Sequence, residues 1–422
     1  MTVSSPAAVA AAAGRTDFPP DFLWGAATAA HQVEGGNVNN DWWEFEHAPA
    51  SAAVESSGDA IDHFHRYERD FALLRSLGHN AHRLSLEWSR IEPAPGEFSR
   101  SAVAHYRRVL ASMAEHGLTG FVTLHHFTLP RWFAARGGWL ACDAVETFAR
   151  YCRHVATELG DLMPFVCTVN EPQMVALHGY LEGRHPPGIT NPVLWKRVGQ
   201  VLLRAHEAAV RVVHEAAPGA WAGLAVQVPL LAPSRDDDAC RTLHRLLQHE
   251  IVDRYLDGLT GPDRGDFLGV QYYRKQWVDP AVPTWFAPPP AGSRLTQMGW
   301  AVHPDGLREV LHHAAETGLP LYVTENGIAT EDDAERLDYL ETHLSAVAQA
   351  LAGGVSVRGY LHWSAFDNFE WSEGYRPKFG LIAVDHDFRR IPKPSAYAFG
   401  RVATTGRIAA LHEPANSADH RR

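Results

Sequence analysis

The sequence contains little cysteine. Four cysteines, Cys142, Cys152, Cys167 and Cys240, stand among 422 residues, and no two of them form a CxxC pair. A disulfide framework or a paired-cysteine zinc site needs more regular and closer spacing. We therefore expect free, mostly buried thiols in a reducing compartment, and we interpret the protein as cytoplasmic. Cys167 lies in an apolar run, where side-chain packing is its expected role.

Long apolar runs and an excess of positive charge are also absent. No segment approaches the roughly 18 apolar residues of a membrane span. The formal net charge of −11 disfavours nucleic acid or an anionic membrane as the main partner. The alanine-rich start lacks the charged residues and the longer apolar centre of a secretory signal. We interpret residues 1–16 as a flexible leader and 411–422 as a flexible tail. The sequence does not determine whether the protein forms a homo-oligomer.

Metal-binding and phosphate-binding patterns are missing as well. The chain has 25 histidines, but His125 and His126 are adjacent, so on a strand they point to opposite faces. His63 and His65 lie two residues apart in a predicted helix and do not share a face. No glycine-rich phosphate-binding fingerprint follows a predicted strand, which disfavours a dinucleotide-binding fold. The sequence predicts no metal and no cofactor.

The sequence does contain a regular alternation of apolar strands and helices. The predicted strands are residues 22–27, 80–86, 120–126, 164–170, 223–227, 266–273, 320–326 and 357–364. Nearly continuous apolar strands separated by helices are typical of a parallel sheet covered by helices. Eight such units favour a closed barrel over an open sheet. We predict an α/β fold, a single (β/α)8 TIM barrel over residues 17–410, with the proline-rich segment 280–292 as a lid or rim.

Two similar motifs end distant predicted strands. TVNEP (168–172) ends the fourth strand and YVTEN (322–326) ends the seventh. Glu and Asn are poor strand formers, and active sites of such barrels lie at the C-terminal ends of the strands. Glu171 and Glu325 are therefore predicted to face one mouth. The alternative is that Asn, Pro and Gly serve only the turns, but two carboxylates at barrel strand ends disfavour it.

Two carboxylates facing one pocket suit glycoside hydrolysis. One must be protonated while the other is ionised, and their mutual repulsion favours that difference. We predict Glu171 as the acid/base and Glu325 as the nucleophile, with Asn170 beside the acid bonding a sugar 2-OH. Arg83 lies in the apolar second strand, where a buried arginine needs a partner. An ionised Glu325 would be that partner.

The chain resembles glycoside hydrolase family 1, the β-glucosidase and β-glycosidase family. The resemblance spans about residues 17–404 and rests on ordered motifs. These are FLWGAATAAHQVEGG (22–36), HRLSLEWSRIEP (82–93), TLHHFTLPRWF (123–133), TVNEP (168–172), MGWAVHPDGL (298–307), LYVTENGIA (321–329) and HWSAFDNFEWSEGYRPKFGLIAVD (362–385). The resemblance implies a single (β/α)8 barrel of retaining enzymes, with catalytic carboxylates on strands four and seven.

The resemblance also implies roles for further residues. Tyr273 matches a tyrosine that hydrogen-bonds the nucleophile, and Arg83 matches the arginine that pairs with it. The positions that match ligands of glycone hydroxyls are Gln32, His126, Asn170, Glu370 and Trp371. Trp363 matches the platform beneath the glycone, Phe379 an aromatic wall, and Trp300 the aglycone entrance. Glu370 implies a non-phosphorylated glycone, because a phosphate cannot sit beside a carboxylate.

Several positions depart from the family pattern. Phe127 stands where Trp is common, so one hydrogen bond to a sugar hydroxyl is in doubt. Gln271 stands where Asn is common, and its longer amide is expected to shift that contact. We place both among the substrate-binding residues. Gln173 stands where an aromatic residue is frequent, which points to a changed aglycone side.

The sequence therefore predicts a retaining β-glycosidase that hydrolyses non-phosphorylated β-glucosides through a covalent glycosyl-enzyme, with β-galactosides and β-fucosides as further candidate substrates. The predicted partner is a small-molecule β-glycoside. Two alternatives stay open. One is a transglycosylase or a tailoring enzyme of small-molecule biosynthesis on the same scaffold. The other is a non-catalytic sugar-binding protein, which would not need a paired acid and nucleophile. The loops near 174–190 and 280–300 contain no motif that identifies the aglycone.

Overall fold

Eight parallel strands form a closed barrel in the computed structural model, which describes residues 17–49 and 51–414. The predicted leader and residues 415–422 of the predicted tail lie outside the described residues. The barrel strands are Leu23–Ala27, Ala81–Ser85, Thr119–His125, Phe165–Asn170, Trp221–Gln227, Phe267–Gln271, Leu321–Asn326 and Val357–Trp363. Each predicted strand is present, so the predicted (β/α)8 fold is confirmed.

Helices alternate with the strands. The larger ones are His63–Ser76, Arg100–Glu115, Ala144–Leu159, Pro192–Ala216, Asp238–Gln248, Pro304–Ala315, Asp333–Ala352 and Pro394–Thr405. The start of Pro192–Ala216 shows the local reason for a helix boundary. The Asn191 side chain accepts the backbone N–H groups of Val193 and Leu194, and a proline at the first position needs no partner for its nitrogen.

One predicted helix is interrupted. The sequence predicts a helix from about Asp237 to Leu256, but a π-helical segment, His249–Asp253, separates Asp238–Gln248 from Arg254–Asp257. No proline or glycine falls in that segment, so propensity does not mark the break. Shorter helices fill the loops: Ala30–Val33, Asp41–Glu46, Trp88–Ile91, Arg131–Ala135, Pro172–Tyr180, Gly138–Leu140, Gly160–Leu162, Trp371–Glu373 and Ile408–His412. The predicted domain boundary at 410 falls inside the last of these, where Leu411 is buried.

Two short sheets outside the barrel were not predicted. The strands Leu230–Pro233, Lys275–Val278 and Phe286–Ala287 form one, and Ile382–Val384 pairs with Arg390–Pro392 in the other. The pairing of Phe286–Ala287 with Lys275–Val278 is antiparallel. It ties the proline-rich segment 280–292 to the chain that leaves the sixth barrel strand, so this segment belongs to the rim of the barrel.

The interior of the barrel is packed at one end. Phe121, Phe165, Phe267 and Tyr322 lie early in their strands and form an aromatic layer, with ring centroids 4.4 Å apart for Phe121 and Phe165. Cys167 is buried in the same layer, as expected from its apolar surroundings. Since this layer closes the N-terminal end, a substrate has room only at the C-terminal ends of the strands. No helix of the described residues is both long and apolar enough to cross a membrane.

Candidate active site

A strained turn positions Glu171. The residue follows the fourth barrel strand and has a left-handed backbone, with φ 45° and ψ 59°. Its N–H donates to the Ala225 carbonyl at 2.8 Å, and Pro172 directly behind it begins the helix Pro172–Tyr180. A left-handed residue other than glycine costs on the order of 1–3 kcal/mol and persists only where its surroundings hold it. The turn directs the Glu171 carboxyl into the mouth of the barrel.

Both strands that carry the paired carboxylates lose their regular register just before the site. The fourth strand shifts against the fifth between Cys167 and Asn170. The seventh shifts against the sixth between Val323 and Glu325. An irregularity of this kind bends a strand and re-aims its next side chain. Gly327 then allows the seventh strand to pass close to the eighth, since a Cβ there would lie 1.8 Å from the Trp363 carbonyl oxygen.

Glu325 is surrounded by hydrogen-bond donors. Arg83 Nη1 and Gln271 Nε2 donate to Oε1, the latter at 2.8 Å, and the Tyr273 hydroxyl donates to Oε2 at 2.6 Å. Arg83 is fully buried, so its ion pair with Glu325 is shielded from water. Three donors, one of them charged, favour the ionised form of this carboxyl.

Asn170 connects Glu325 to His126. Its Oδ1 accepts from Arg83 Nη2 at 2.5 Å and from Gln271 Nε2 at 2.9 Å, while its Nδ2 donates to His126 Nε2 at 3.2 Å. Burial and the charge of Arg83 lower the pKa of His126 well below its usual range, so the ring is neutral. Gln271 stands where the shorter Asn is common, and its side-chain amide contacts both Asn170 and Glu325 through Nε2.

Glu171 has a different environment. Within the described residues its carboxyl receives one side-chain hydrogen bond, from Gln227 Nε2 at 3.2 Å. Gln227 ends the fifth barrel strand, and Gln173 Nε2 donates to the Gln227 carbonyl. Our sequence analysis missed Gln227, although a polar residue at a strand end is the same pattern that located the other residues. Gln173 is fully buried and is not among the residues that line the pocket.

These environments separate the two carboxyls. Burial raises the pKa of both, and the negative charge of Glu325 raises the pKa of Glu171 further, to well above its usual range. The Arg83 charge and the Tyr273 hydroxyl act in the opposite direction on the pKa of Glu325. Arg83 also lowers the pKa of Glu171, but without contact. The pair therefore shares its proton unequally, with Glu171 as the holder.

A further carboxyl lies at the end of the eighth strand. Gln32 Nε2 donates to Glu370 Oε2 at 3.3 Å and to the Phe369 carbonyl at 2.7 Å. Burial, followed by the charge of Glu325, raises the pKa of Glu370 to about 8. The next residue, Trp371, has a left-handed backbone with φ 54° and stacks on His31 with ring centroids 5.7 Å apart. This segment packs against the loop that follows the first barrel strand.

Aromatic side chains form the walls. Trp300 lies 5.5 Å from Tyr273 and 6.2 Å from Phe379, measured between ring centroids. Phe127 has a left-handed backbone and lies 5.0 Å from Trp371. Phe127 therefore provides an apolar wall at the position where Trp is common in the family. It has no indole N–H to donate a hydrogen bond.

The structure brings the predicted site residues together. A pocket of about 710 Å³ is lined by the predicted residues His126, Phe127, Asn170, Glu171, Tyr273, Trp300, Glu325, Trp363, Glu370, Trp371 and Phe379. Gln32, Arg83 and Gln271 lie behind them, in contact with Glu370 or Glu325. The lining residues that were not predicted are His178, Arg184, His185, Gln227, Arg274, Met298, Ser372 and Glu373. In the described part of the chain, no cluster of His, Cys, Asp or Glu could hold a metal ion.

Comparison with known proteins points to one family. The sequence profile of glycosyl hydrolase family 1 matches residues 14–259 and 250–407. A β-glucosidase A of Thermotoga maritima is 32% identical over 433 residues, covering 91% of this chain and 97% of that protein. A bifunctional β-D-glucosidase/β-D-fucosidase of Bifidobacterium breve is 33% identical over 448 residues, with coverage of 91% and 97%.

The fold comparison agrees with the sequence comparison. A solved β-glycosidase from Pyrococcus horikoshii superposes with a TM-score of 0.86 at 37% identity. The match covers 92% of this chain and 95% of that structure. Sequence and barrel therefore match the same group of proteins over nearly their whole lengths.

Proposed function

The chain belongs to glycosyl hydrolase family 1 and is a β-glycosidase, and we propose that it hydrolyses non-phosphorylated β-glucosides with retention of configuration. In this proposal Glu325 is the nucleophile and Glu171 the acid/base. The observation that carries it is the unequal environment of the two carboxyls. Among the described residues, Glu325 has Arg83, Tyr273 and Gln271 as donors, whereas Glu171 has only Gln227.

In the first step an oxygen of ionised Glu325 attacks the anomeric carbon. The bond from that carbon to the leaving oxygen breaks, and Glu171 gives its proton to this oxygen. The product is a covalent glycosyl-enzyme and a free aglycone. A retaining pair should lie about 5–5.5 Å apart, too close for a water molecule between carboxylate and sugar. The high pKa of Glu171 keeps the proton available at neutral pH.

In the second step Glu171 acts as a base. After the first step it carries the negative charge, while the ester of Glu325 carries none. Glu171 then takes a proton from water, and the oxygen of that water attacks the anomeric carbon. The bond to Glu325 breaks, and the carboxylate returns to its three donors. The same residue serves as acid and base because its pKa falls once the charge on Glu325 is gone.

Glycone recognition is assigned to the rigid floor of the pocket. Gln32 Oε1 is buried and has no hydrogen-bond partner among the described residues, so a sugar hydroxyl would satisfy it. Glu370 and Trp371 occupy the same side, and Trp363 would lie beneath the pyranose. Glu370 already has a raised pKa because it is buried and faces the charge of Glu325, and a phosphate on the glycone would add a further negative charge there, which supports a non-phosphorylated sugar. The relatives named for β-glucosidase and β-fucosidase activity support the same substrate class.

We also propose a cytoplasmic location. The support comes from the cysteines: Cys142, Cys152, Cys167 and Cys240 are all free thiols, and Cys142 is exposed. Exposed free thiols persist in a reducing compartment.

The proposal is tested with 4-nitrophenyl β-glycosides of glucose, galactose, fucose and mannose, comparing the wild-type enzyme with Glu325→Gln. We expect release of nitrophenol that falls by orders of magnitude in the variant, while its circular dichroism spectrum is unchanged. A 2-deoxy-2-fluoroglucoside should label Glu325, which peptide mass spectrometry would locate. Wild-type rates in Glu325→Gln would refute the nucleophile assignment. When an alcohol is added as an acceptor, the ratio of transfer product to free sugar measures the share of transglycosylation.

A further inference from the structure

Two arginines at the outer part of the pocket have no role in the proposed mechanism. Arg274 follows Tyr273, and Arg184 lies in the loop after the helix Pro172–Tyr180. Both line the active-site pocket, and both also line a second cavity of about 1150 Å³. The two spaces are therefore neighbours that share the arginines. An aglycone leaving the site past Trp300 would meet them.

Arg274 is a cation without an anion. Its guanidinium carbon lies 4.9 Å from the centroid of the Trp300 ring, so the group is stacked with its N–H edges free. In the described part of the chain, the Arg274 side chain makes no hydrogen bond and no ion pair. Burial, then the positive charge of Arg184, lower the pKa of Arg274 to about 10. A guanidinium has five donors, and leaving them unpaired in a half-buried position is costly.

The neighbouring acids do not neutralise both arginines. Glu182 Oε2 accepts from His178 Nδ1 at 2.7 Å and lies 3.8 Å from Arg184 Nε. Burial lowers the pKa of His178, so this ring adds no charge at neutral pH. Glu373, at the mouth of the pocket, lies 3.6 Å from Arg376.

Glu171 is the remaining acid near Arg274. In the proposed first step it holds its proton, so it offers no negative charge while the aglycone is still attached. Two guanidinium groups therefore face one carboxylate, that of Glu182. The outer pocket carries a net positive charge when the substrate binds.

The second cavity has an apolar wall beyond the arginines. Leu181, Pro283, Trp285 and Phe286 line it, and the last three belong to the proline-rich rim segment. The antiparallel pairing of Phe286–Ala287 with Lys275–Val278 fixes this wall. The space therefore suits a flat apolar body that carries a negative group on the side facing the active site.

We propose that the enzyme prefers β-glucosides whose aglycone carries an anionic group, a carboxylate or a sulfonate, bound by Arg274 and Arg184. The apolar body of the aglycone packs on Trp285 and Phe286. This inference rests on the proposed function, because it assigns the leaving-group side of that reaction. A planar guanidinium edge matches a two-oxygen anion, and Arg274 is the stronger contact because Arg184 already has Glu182 at 3.8 Å.

The test compares 4-carboxyphenyl β-D-glucoside with its methyl ester. The ratio of their kcat/KM values is measured in the wild-type enzyme, in Arg274→Gln and in Arg184→Gln. The leaving groups differ in reactivity, but this difference cancels when the ratio is compared between variants. Arg204→Gln is the matched control, since Arg204 is exposed on the helix Pro192–Ala216 and its loss removes the same charge.

We expect the acid-to-ester ratio to fall about tenfold in Arg274→Gln, the loss of about one charge-assisted hydrogen bond, and to stay constant in Arg204→Gln. A 4-sulfophenyl glucoside is measured in the same series. The anion whose kcat/KM, relative to the ester, falls more in Arg274→Gln is the preferred one. An unchanged ratio with the ester still hydrolysed overturns the inference and leaves the proposed function intact. Equal losses of kcat/KM for acid and ester in Arg274→Gln also overturn it, because Arg274 would then affect catalysis through Glu171 and not bind the anionic group. Failure of the wild-type enzyme on every glucoside refutes both.

A second measurement needs only the wild-type protein, in case a variant does not fold. Free 4-hydroxybenzoate and its methyl ester are compared as inhibitors of 4-nitrophenyl β-glucoside hydrolysis. The acid should inhibit several-fold more strongly, and its advantage should shrink as salt is added. Equal inhibition by acid and ester contradicts the inference.

Discussion

The hydroxyl of Tyr273 controls how strongly Glu325 holds its charge, and its removal gives a quantitative test. The hydroxyl donates to Oε2 at 2.6 Å in a buried site. A hydrogen bond to a charged group contributes about 1.5–3 kcal/mol, and one pKa unit corresponds to about 1.36 kcal/mol. Tyr273→Phe should therefore raise the pKa of Glu325 by about one to two units. We expect the lower value, because Arg83 and Gln271 still donate to Oε1.

The direction of the change follows from the proposed roles. Glu325 must be ionised to attack, so a higher pKa moves the acidic limb of the kcat/KM profile to higher pH. Glu171 must be protonated, and it keeps its Gln227 contact, so the basic limb moves less. Because the carboxyls titrate as a coupled pair, the quantity to measure is the width of the bell-shaped kcat/KM profile, the pH interval between its two limbs. This width should decrease by about one pH unit.

The assay is a kcat/KM profile with 4-nitrophenyl β-glucoside over the range in which the protein stays folded. Tyr151→Phe is the control. It removes a buried hydroxyl that donates to the Leu124 carbonyl at 3.2 Å, away from the carboxyls, and should leave the bell unchanged. An acidic limb in Tyr273→Phe that coincides with the wild-type limb would refute the reasoning that this hydroxyl stabilises ionised Glu325.

Three other substitutions have defined outcomes. Gln227→Leu removes the hydrogen bond that lowers the pKa of Glu171, so the basic limb of the same profile should move to higher pH; a shift to lower pH would contradict this. Glu171→Gln should lower kcat/KM for an alkyl glucoside by about 10²–10⁴-fold. The loss for 4-nitrophenyl glucoside should be smaller, because nitrophenolate can leave without a proton from the enzyme. Equal losses for the two substrates, measured by product release, would argue against the acid role. Phe121→Ala opens the packed end of the barrel, where the ring is fully buried, and should lower the free energy of unfolding by about 3–5 kcal/mol; urea denaturation checks this, and an unchanged midpoint would count against the packing.

The order of strands and helices could be read from the sequence because each barrel strand is buried on both faces. Such strands appear as continuous apolar runs, and the helices between them show a different period. Polar residues at the strand ends then stood out against this background, which is why Glu171, Glu325 and Asn170 were predicted, and Arg83 stood out as a charge inside an apolar strand. Gln227 carried the same pattern and was overlooked. The family motifs identified the aromatic walls, which composition alone would have left in the core.

The sequence by itself thus determined the barrel, the family and the pair of carboxyls, since these depend on local hydrophobic pattern and on motifs. Only the tertiary structure decided how the two carboxyls differ. The register shifts before Asn170 and Glu325, the left-handed turn at Glu171 and the single donor from Gln227 all depend on contacts between strands. The same holds for Arg274 and Arg184, which lie 90 positions apart in the chain. A charge left without a partner is a property of the packed surroundings, and no local pattern records it.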